Sequence, residues 1–119
     1  LLEDPRRTDF RVVLIPERMS VHESARLLER LESYAIPVQT LVVNRLMTPL
    51  EDVPPAVADA VAVPDLEGCA FCAARWAVQR DAIGDATELF GDRTIHRVPL
   101  LGGPVEGRPA LRVIAHCLA

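Results

Sequence analysis

A chain of 119 residues has the length of one ordinary domain, and with half of its residues hydrophobic it can fold without disulfide bonds. Its formal net charge of −4 argues against a surface for nucleic acid or anionic membranes, and no apolar run approaches the roughly 20 residues that span a bilayer. Three cysteines are too few for a secreted disulfide framework, which predicts a reducing, cytoplasmic compartment. The chain starts at Leu1 with a predicted strand soon after, which suggests a piece of a longer protein.

The first half of the chain predicts a β-α-β unit. Residues 9–15 (DFRVVLI) are β-branched and apolar, as expected of an inner strand of a parallel sheet. Ser20 and Glu23 form a capping-box pattern, which predicts a helix from Ser20 to Tyr34. Residues 40–44 (TLVVN) read as a second buried strand, and the connection between the strands should be right-handed.

The second half begins with a proline-rich loop over residues 47–68, and a loop of this length is usually functional or disordered. A helix is predicted over 70–90, where Cys72, Gln79 and Phe90 belong to a set at helical spacing. A third strand over 94–98 and a helix behind Pro109 complete the order. This order predicts one α/β domain over 1–119, with three layers and part of a doubly wound, mainly parallel sheet.

One candidate ligand site lies at the carboxyl ends of the predicted strands, where open α/β sheets bind ligands. Asn44 ends the second strand, and its amide can pair with a purine edge as both donor and acceptor. Pro99 and Leu101 can form an apolar wall for a flat ring. Asn44 can equally end its strand by bonding to nearby backbone, and the spacing alone favours this second interpretation.

Cys69 and Cys72 form a CxxC motif for which three interpretations remain open. A thiol pair at a helix N-terminus suits redox chemistry. Two cysteines at this spacing also supply half of a tetrahedral zinc site, whose other half would then come from a second copy across a two-fold axis. The third interpretation is a pair of small buried residues, and the spacing does not decide between it and the metal site. Cys117 is predicted to be simply buried.

The sequence contains none of the common catalytic motifs. A G-x-x-x-x-G-K-[ST] loop, a G-x-G-x-x-G turn and a nucleophile elbow are all missing from the 119 residues. We therefore expect no catalysis by this chain alone.

Five motifs occur together in a characteristic order along nearly the whole chain. They are DPRRTDF (4–10), VLIPERMS (13–20), VVNRL (42–46), CAFCAAR (69–75) and VPLL (98–101). In this order they resemble the C-terminal part of the ArsA-type ATPases. That family includes the ATPase subunit of the arsenite pump and the targeting factors for tail-anchored membrane proteins.

The resemblance implies the C-terminal portion of a P-loop NTPase fold, from a dimeric hydrolase that uses Mg-ATP. It implies that Asn44 contacts the adenine base and that Pro99, Leu100 and Leu101 begin the adenine-side loop. It also implies that Cys69 and Cys72 share one zinc ion across a homodimer.

The resulting hypothesis is the C-terminal portion of an arsenical-pump-driving, anion-transporting ATPase, inactive as a fragment because the phosphate-binding loop lies upstream in family members. Its partners would be a membrane pump or membrane-protein clients, without nucleic acid and without insertion into the membrane itself. The alternative is a metal- or redox-dependent dimerisation or binding module with no nucleotide role.

Overall fold

The computed structural model describes residues 2–48, 55, 59, 61–62, 65–101 and 106–118. Its elements are β1 (Phe10–Leu14), α1 (Arg18–Ser33), β2 (Val38–Leu46), α2 (Ala70–Leu89), β3 (Thr94–Pro99) and α3 (Gly107–Leu118). Both strand pairs are parallel, in the order β1-β2-β3, which confirms the predicted α/β class. Most of the predicted proline-rich loop over 47–68 lies outside the described residues.

The main core lies between one face of the sheet and the helices α1 and α2. β2 is the central strand, and its Leu41 is fully buried in this core. Alternate residues of β1, Val12 and Leu14, point into the same layer, while Phe90 closes it at the end of α2. Because strand side chains alternate between faces, the residues between them belong to the other side of the sheet.

Within the described residues, the second face of the sheet is covered beside β3 and open beside β1. Val13 of β1 is 62% exposed on this face, whereas Val42 of β2 is 7% and Val98 of β3 is 2% exposed. α3 contacts β3, so burial increases towards the strand that this helix packs against. The helices α1 and α2 therefore lie on one face of the sheet, and α3 covers the other face beside β3.

β1 was predicted to be an inner strand, and within the described part of the chain it is an edge strand. Its apolar run reflects a strand that is suited to burial on both faces, as in parallel sheets. Only β2 pairs with it among the described residues, which leaves Val13 exposed.

The predicted capping box at the start of α1 is wrong. The helix begins earlier, at Arg18, and its N-cap Glu17 makes no side-chain cap bond. Ser20 therefore lies inside the first turn, and its Oγ accepts a hydrogen bond from the Ile15 N–H at 3.2 Å. Glu23 pairs instead with Arg26 along the helix, at 2.8 Å. The error arises because the chain turns directly from β1 into the helix, so the hydroxyl finds a donor in the residue that follows the strand.

Arg93 joins three elements at the amino end of the sheet. Its Nε donates to the Val38 carbonyl oxygen at 3.0 Å, and its Nη2 donates to the carboxylate of Glu32 near the end of α1. This contact places the residues just after α2 beside the start of β2. α2 therefore ends at the amino edge of the sheet. None of the helices in the described part of the chain is long and apolar enough to cross a membrane.

Candidate functional site at the carboxyl edge of the sheet

The structure brings the four predicted ligand-binding residues to the same edge. Asn44 lies near the carboxyl end of β2, and Pro99, Leu100 and Leu101 lie at and after the end of the neighbouring β3. Leu46 pairs with Pro99, and the Leu100 N–H donates to the Leu46 carbonyl at 2.7 Å. These pairings fix the two strand ends side by side.

A bulge at the end of β2 takes Asn44 and Arg45 out of the regular ladder with β3. The ladder advances from Val43 to Leu46 on β2 while β3 advances only from Arg97 to Pro99. The extra residue is accommodated by Arg45, which has a left-handed φ of 60°. A non-glycine residue in this region costs on the order of 1–3 kcal/mol, and such strain and such bulges are common next to functional sites.

The bulge also orients the side-chain amide of Asn44. The Arg45 N–H donates to Asn44 Oδ1 at 2.9 Å, so the predicted bond to nearby backbone is present. That bond uses one lone pair of the oxygen, and within the described part of the chain a second lone pair and two N–H donors are left for a ligand. The two interpretations of Asn44 are therefore compatible.

The left-handed conformation of Arg45 makes a testable difference between two substitutions. We expect Arg45→Val to lower the free energy of unfolding by about 1–2 kcal/mol, because a β-branched residue is strongly disfavoured at positive φ. The matched variant Arg45→Gly should keep or raise stability, because glycine adopts this conformation without steric cost. Urea unfolding of the two variants measures the difference, and equal losses would contradict the left-handed assignment.

Cys69 and Cys72 lie at the start of α2, as predicted. Cys69 is the N-cap, and its Sγ accepts a hydrogen bond from the Cys72 N–H at 3.1 Å. The two sulfur atoms are joined as a disulfide within the chain. Within the described ranges, no cluster of three or more His, Cys, Asp or Glu side chains could hold a metal ion. One chain thus offers two sulfur ligands here.

The chemistry of this pair fits half of a structural zinc site once the disulfide is reduced. The N–H bond and the helix dipole both stabilise negative charge on Cys69 Sγ, and the thiolate is the form that binds zinc. A structural zinc site needs four ligands, so a chain that offers two of them requires two more.

The CxxC motif lies beyond the carboxyl edge of the sheet. α2 runs antiparallel to β2, since Gln79 contacts Met47 after the end of β2 while Arg93 contacts Val38 at its start. Cys72 precedes Gln79 by two helical turns, which is a rise of about 10 Å. The N-terminal end of α2 therefore extends beyond the carboxyl edge of the sheet.

Two features of the projecting end support this placement. Phe71, between the two cysteines, is 74% exposed. Arg75 reaches back to Glu17 after β1, with 3.6 Å between Nη2 and Oε1, which orients the helix at little gain in stability. The end of α2 thus presents one aromatic ring outward, between two half-buried cysteines.

The third cysteine does not join this site. Cys117 lies on α3 and packs against a small separate cluster around Val61 and Val113. Burial raises the pKa of the Cys117 thiol above its usual value, so it stays a neutral thiol at physiological pH. The sequence predicted a buried residue, and in the structure Cys117 is half-buried.

A groove of about 810 Å³ lies elsewhere, along α1 beside the edge strand β1. It is lined by apolar side chains such as Val13 and Leu27 and by charged ones such as Glu23 and Arg30. None of the predicted site residues lines it. It is an open feature of the β1 edge, separate from the ends of β2 and β3.

Sequence reasoning missed two residues that shape the site, Arg45 and Gln79. Gln79 is 4% exposed, and its Oε1 accepts a hydrogen bond from the Met47 N–H at 2.9 Å. The available signal was that Gln79 is a polar residue within the set of α2 residues whose helical spacing predicts one shared face. Arg45 carries no such signal, since its left-handed φ follows from strand pairing.

Comparison with known proteins identifies the family. A family model described as anion-transporting ATPase matches residues 1–119. The chain is 35% identical over 115 residues to an ATPase ASNA1 homolog of Leishmania braziliensis, covering 97% of this chain and 25% of that protein. It is 35% identical over 111 residues to the ATPase GET3 of Rhodotorula glutinis, covering 92% of this chain and 29% of that protein. The chain thus spans between a quarter and three tenths of the length of these relatives, and it belongs to the anion-transporting (ArsA-type) ATPase family.

Proposed function

We propose that this chain is the C-terminal portion of a longer Mg-ATP-dependent ATPase, and that it contributes to adenine binding and to a dimer interface. The observation that supports this most is the bulge at Asn44 and Arg45. It sets a side-chain amide with free hydrogen-bonding capacity next to the end of β3. This is the edge at which open α/β sheets bind nucleotides.

In this proposal Asn44 recognises the base and β3 supplies the surface beside it. The second lone pair of Oδ1 accepts from the adenine 6-amino group, and the amide N–H donates to a ring nitrogen. The run from Pro99 to Leu101 provides apolar contact with the ring. Phosphates and Mg²⁺ are held by another part of the longer chain, because the 119 residues contain no phosphate-binding loop.

The test is base discrimination by the full-length ATPase. Inosine triphosphate carries the same phosphates as ATP and lacks the 6-amino group. We expect Asn44→Ala to weaken ATP binding about tenfold and to leave the affinity for inosine triphosphate nearly unchanged, since one or two hydrogen bonds to the base are lost. Titration calorimetry with both Mg-nucleotides measures the ratio of dissociation constants. An unchanged ratio would remove Asn44 from the adenine site.

We also propose that Cys69 and Cys72 hold one zinc ion together with the same pair of a second copy. Support comes from the two-sulfur donor set, the projecting end of α2 and the exposed Phe71. The ion would be a structural link between protomers, giving a homodimer.

The proposed whole protein is a cytoplasmic ATPase that serves membrane processes. In this family these are the driving of an arsenical or other anion pump and the delivery of membrane-protein clients. The names ASNA1 and GET3 among the relatives favour the delivery role for this chain.

The disulfide favours a second candidate, a redox-dependent binding module without a nucleotide role. In that case Cys69 and Cys72 would oxidise and reduce reversibly without binding metal. A monomeric mass in both redox states, together with no bound zinc and no ATP binding, would select this candidate over the ATPase.

A further inference from the structure

Gln79 makes a buried contact between α2 and the end of β2. Its side chain is 4% exposed, and Oε1 accepts the Met47 N–H at 2.9 Å across 32 positions of sequence. Met47 follows the bulge by two residues. A side chain of α2 therefore accepts the hydrogen bond of a backbone N–H two residues after Arg45.

A second contact, from the residue that follows β3, also holds the chain just after the bulge. The Leu46 carbonyl accepts a hydrogen bond from the Leu100 N–H at 2.7 Å. The residue after β3 therefore holds Leu46, and α2 holds Met47. A left-handed non-glycine residue such as Arg45 persists only where its surroundings over-determine it. The anchors at Leu46 and Met47 are two such contacts on the C-terminal side of the bulge.

We propose that Gln79 is a positioning residue for base recognition, acting through the Met47 amide to hold the bulge that orients Asn44. The inference rests on the proposed adenine contact of Asn44. Loss of the acceptor at Gln79 frees the backbone after Arg45, so the bulge can relax towards regular pairing with β3. The amide of Asn44 then leaves the orientation in which its free donors and lone pair meet the base.

The experiment compares Gln79→Met with Gln79→Glu in the full-length ATPase. Methionine keeps nearly the same length and removes the acceptor, whereas glutamate keeps an acceptor oxygen at the same reach. We expect Gln79→Met to reduce the preference for Mg-ATP over Mg-inosine triphosphate about threefold to tenfold, which is the range of one lost hydrogen bond. Gln79→Glu should keep most of the preference for Mg-ATP. Where Gln79→Met does not fold, Gln79→Asn withdraws the acceptor by one methylene and gives the same readout.

A double-mutant cycle separates positioning from general damage. In an Asn44→Ala background, Gln79→Met should have no further effect on the ratio, because both changes act through the same amide. The positioning role would be overturned if Asn44→Ala lowered the preference for Mg-ATP over Mg-inosine triphosphate while Gln79→Met left that preference unchanged. Equal weakening of both nucleotides by Gln79→Met is one such result. No effect of Asn44→Ala would overturn the adenine contact itself, and the role of Gln79 with it.

Discussion

Replacing Cys69 by serine is expected to eliminate zinc binding and the dimer that depends on it. Under reducing conditions the unmodified protein should bind one zinc ion per two chains. In the proposed shared site each chain supplies Cys69 and Cys72, so the substitution removes two of the four ligands. Structural zinc sites of this kind contribute about 10–16 kcal/mol of apparent binding free energy, so the loss should be complete at micromolar zinc. Metal analysis combined with native mass spectrometry measures stoichiometry and mass together.

Cys117→Ser is the matched control for this experiment. It removes the remaining cysteine, which lies in the separate cluster on α3, and should leave both zinc content and mass unchanged. One zinc ion per monomer would contradict the shared site, because the chain would then complete its own ligand set. Zinc retained by Cys69→Ser would assign the metal to other ligands.

Replacing Phe90 by alanine is expected to lower the free energy of unfolding by about 3–5 kcal/mol. The ring is 2% exposed and packs into the main core at the end of α2, so its removal leaves a cavity between α2 and the sheet. For a domain whose total stability is about 5–15 kcal/mol, this is a large share. Denaturant unfolding followed by circular dichroism measures the change.

The same helix offers a control of the same residue type. Phe71, at the other end of α2, is 74% exposed, and Phe71→Ala should change the free energy of unfolding by less than about 0.5 kcal/mol. A small loss for Phe90→Ala would mean that α2 is not anchored through this ring. A large loss for Phe71→Ala would mean that the projecting end is covered in the protein.

Local signals were sufficient for most of the fold. The apolar strands, the prolines and the helical spacing predicted the element order, and α2 and β3 have almost the predicted bounds, because these signals act within a few residues. The CxxC motif was placed at a helix start for the same reason. The resemblance to the family was confirmed over the whole chain.

Features that join distant parts of the chain could not be predicted in this way. The capping pattern of Ser20 failed because its hydroxyl accepts a hydrogen bond from Ile15, just after β1, and no helix signal includes that residue. The left-handed Arg45 lies where the register between β2 and β3 shifts, and the contact of Gln79 with Met47 follows from the packing of α2. Sequence periodicity therefore determines which elements form, whereas the register and packing between those elements decide which strand residues are buried and where the bulge beside Asn44 lies.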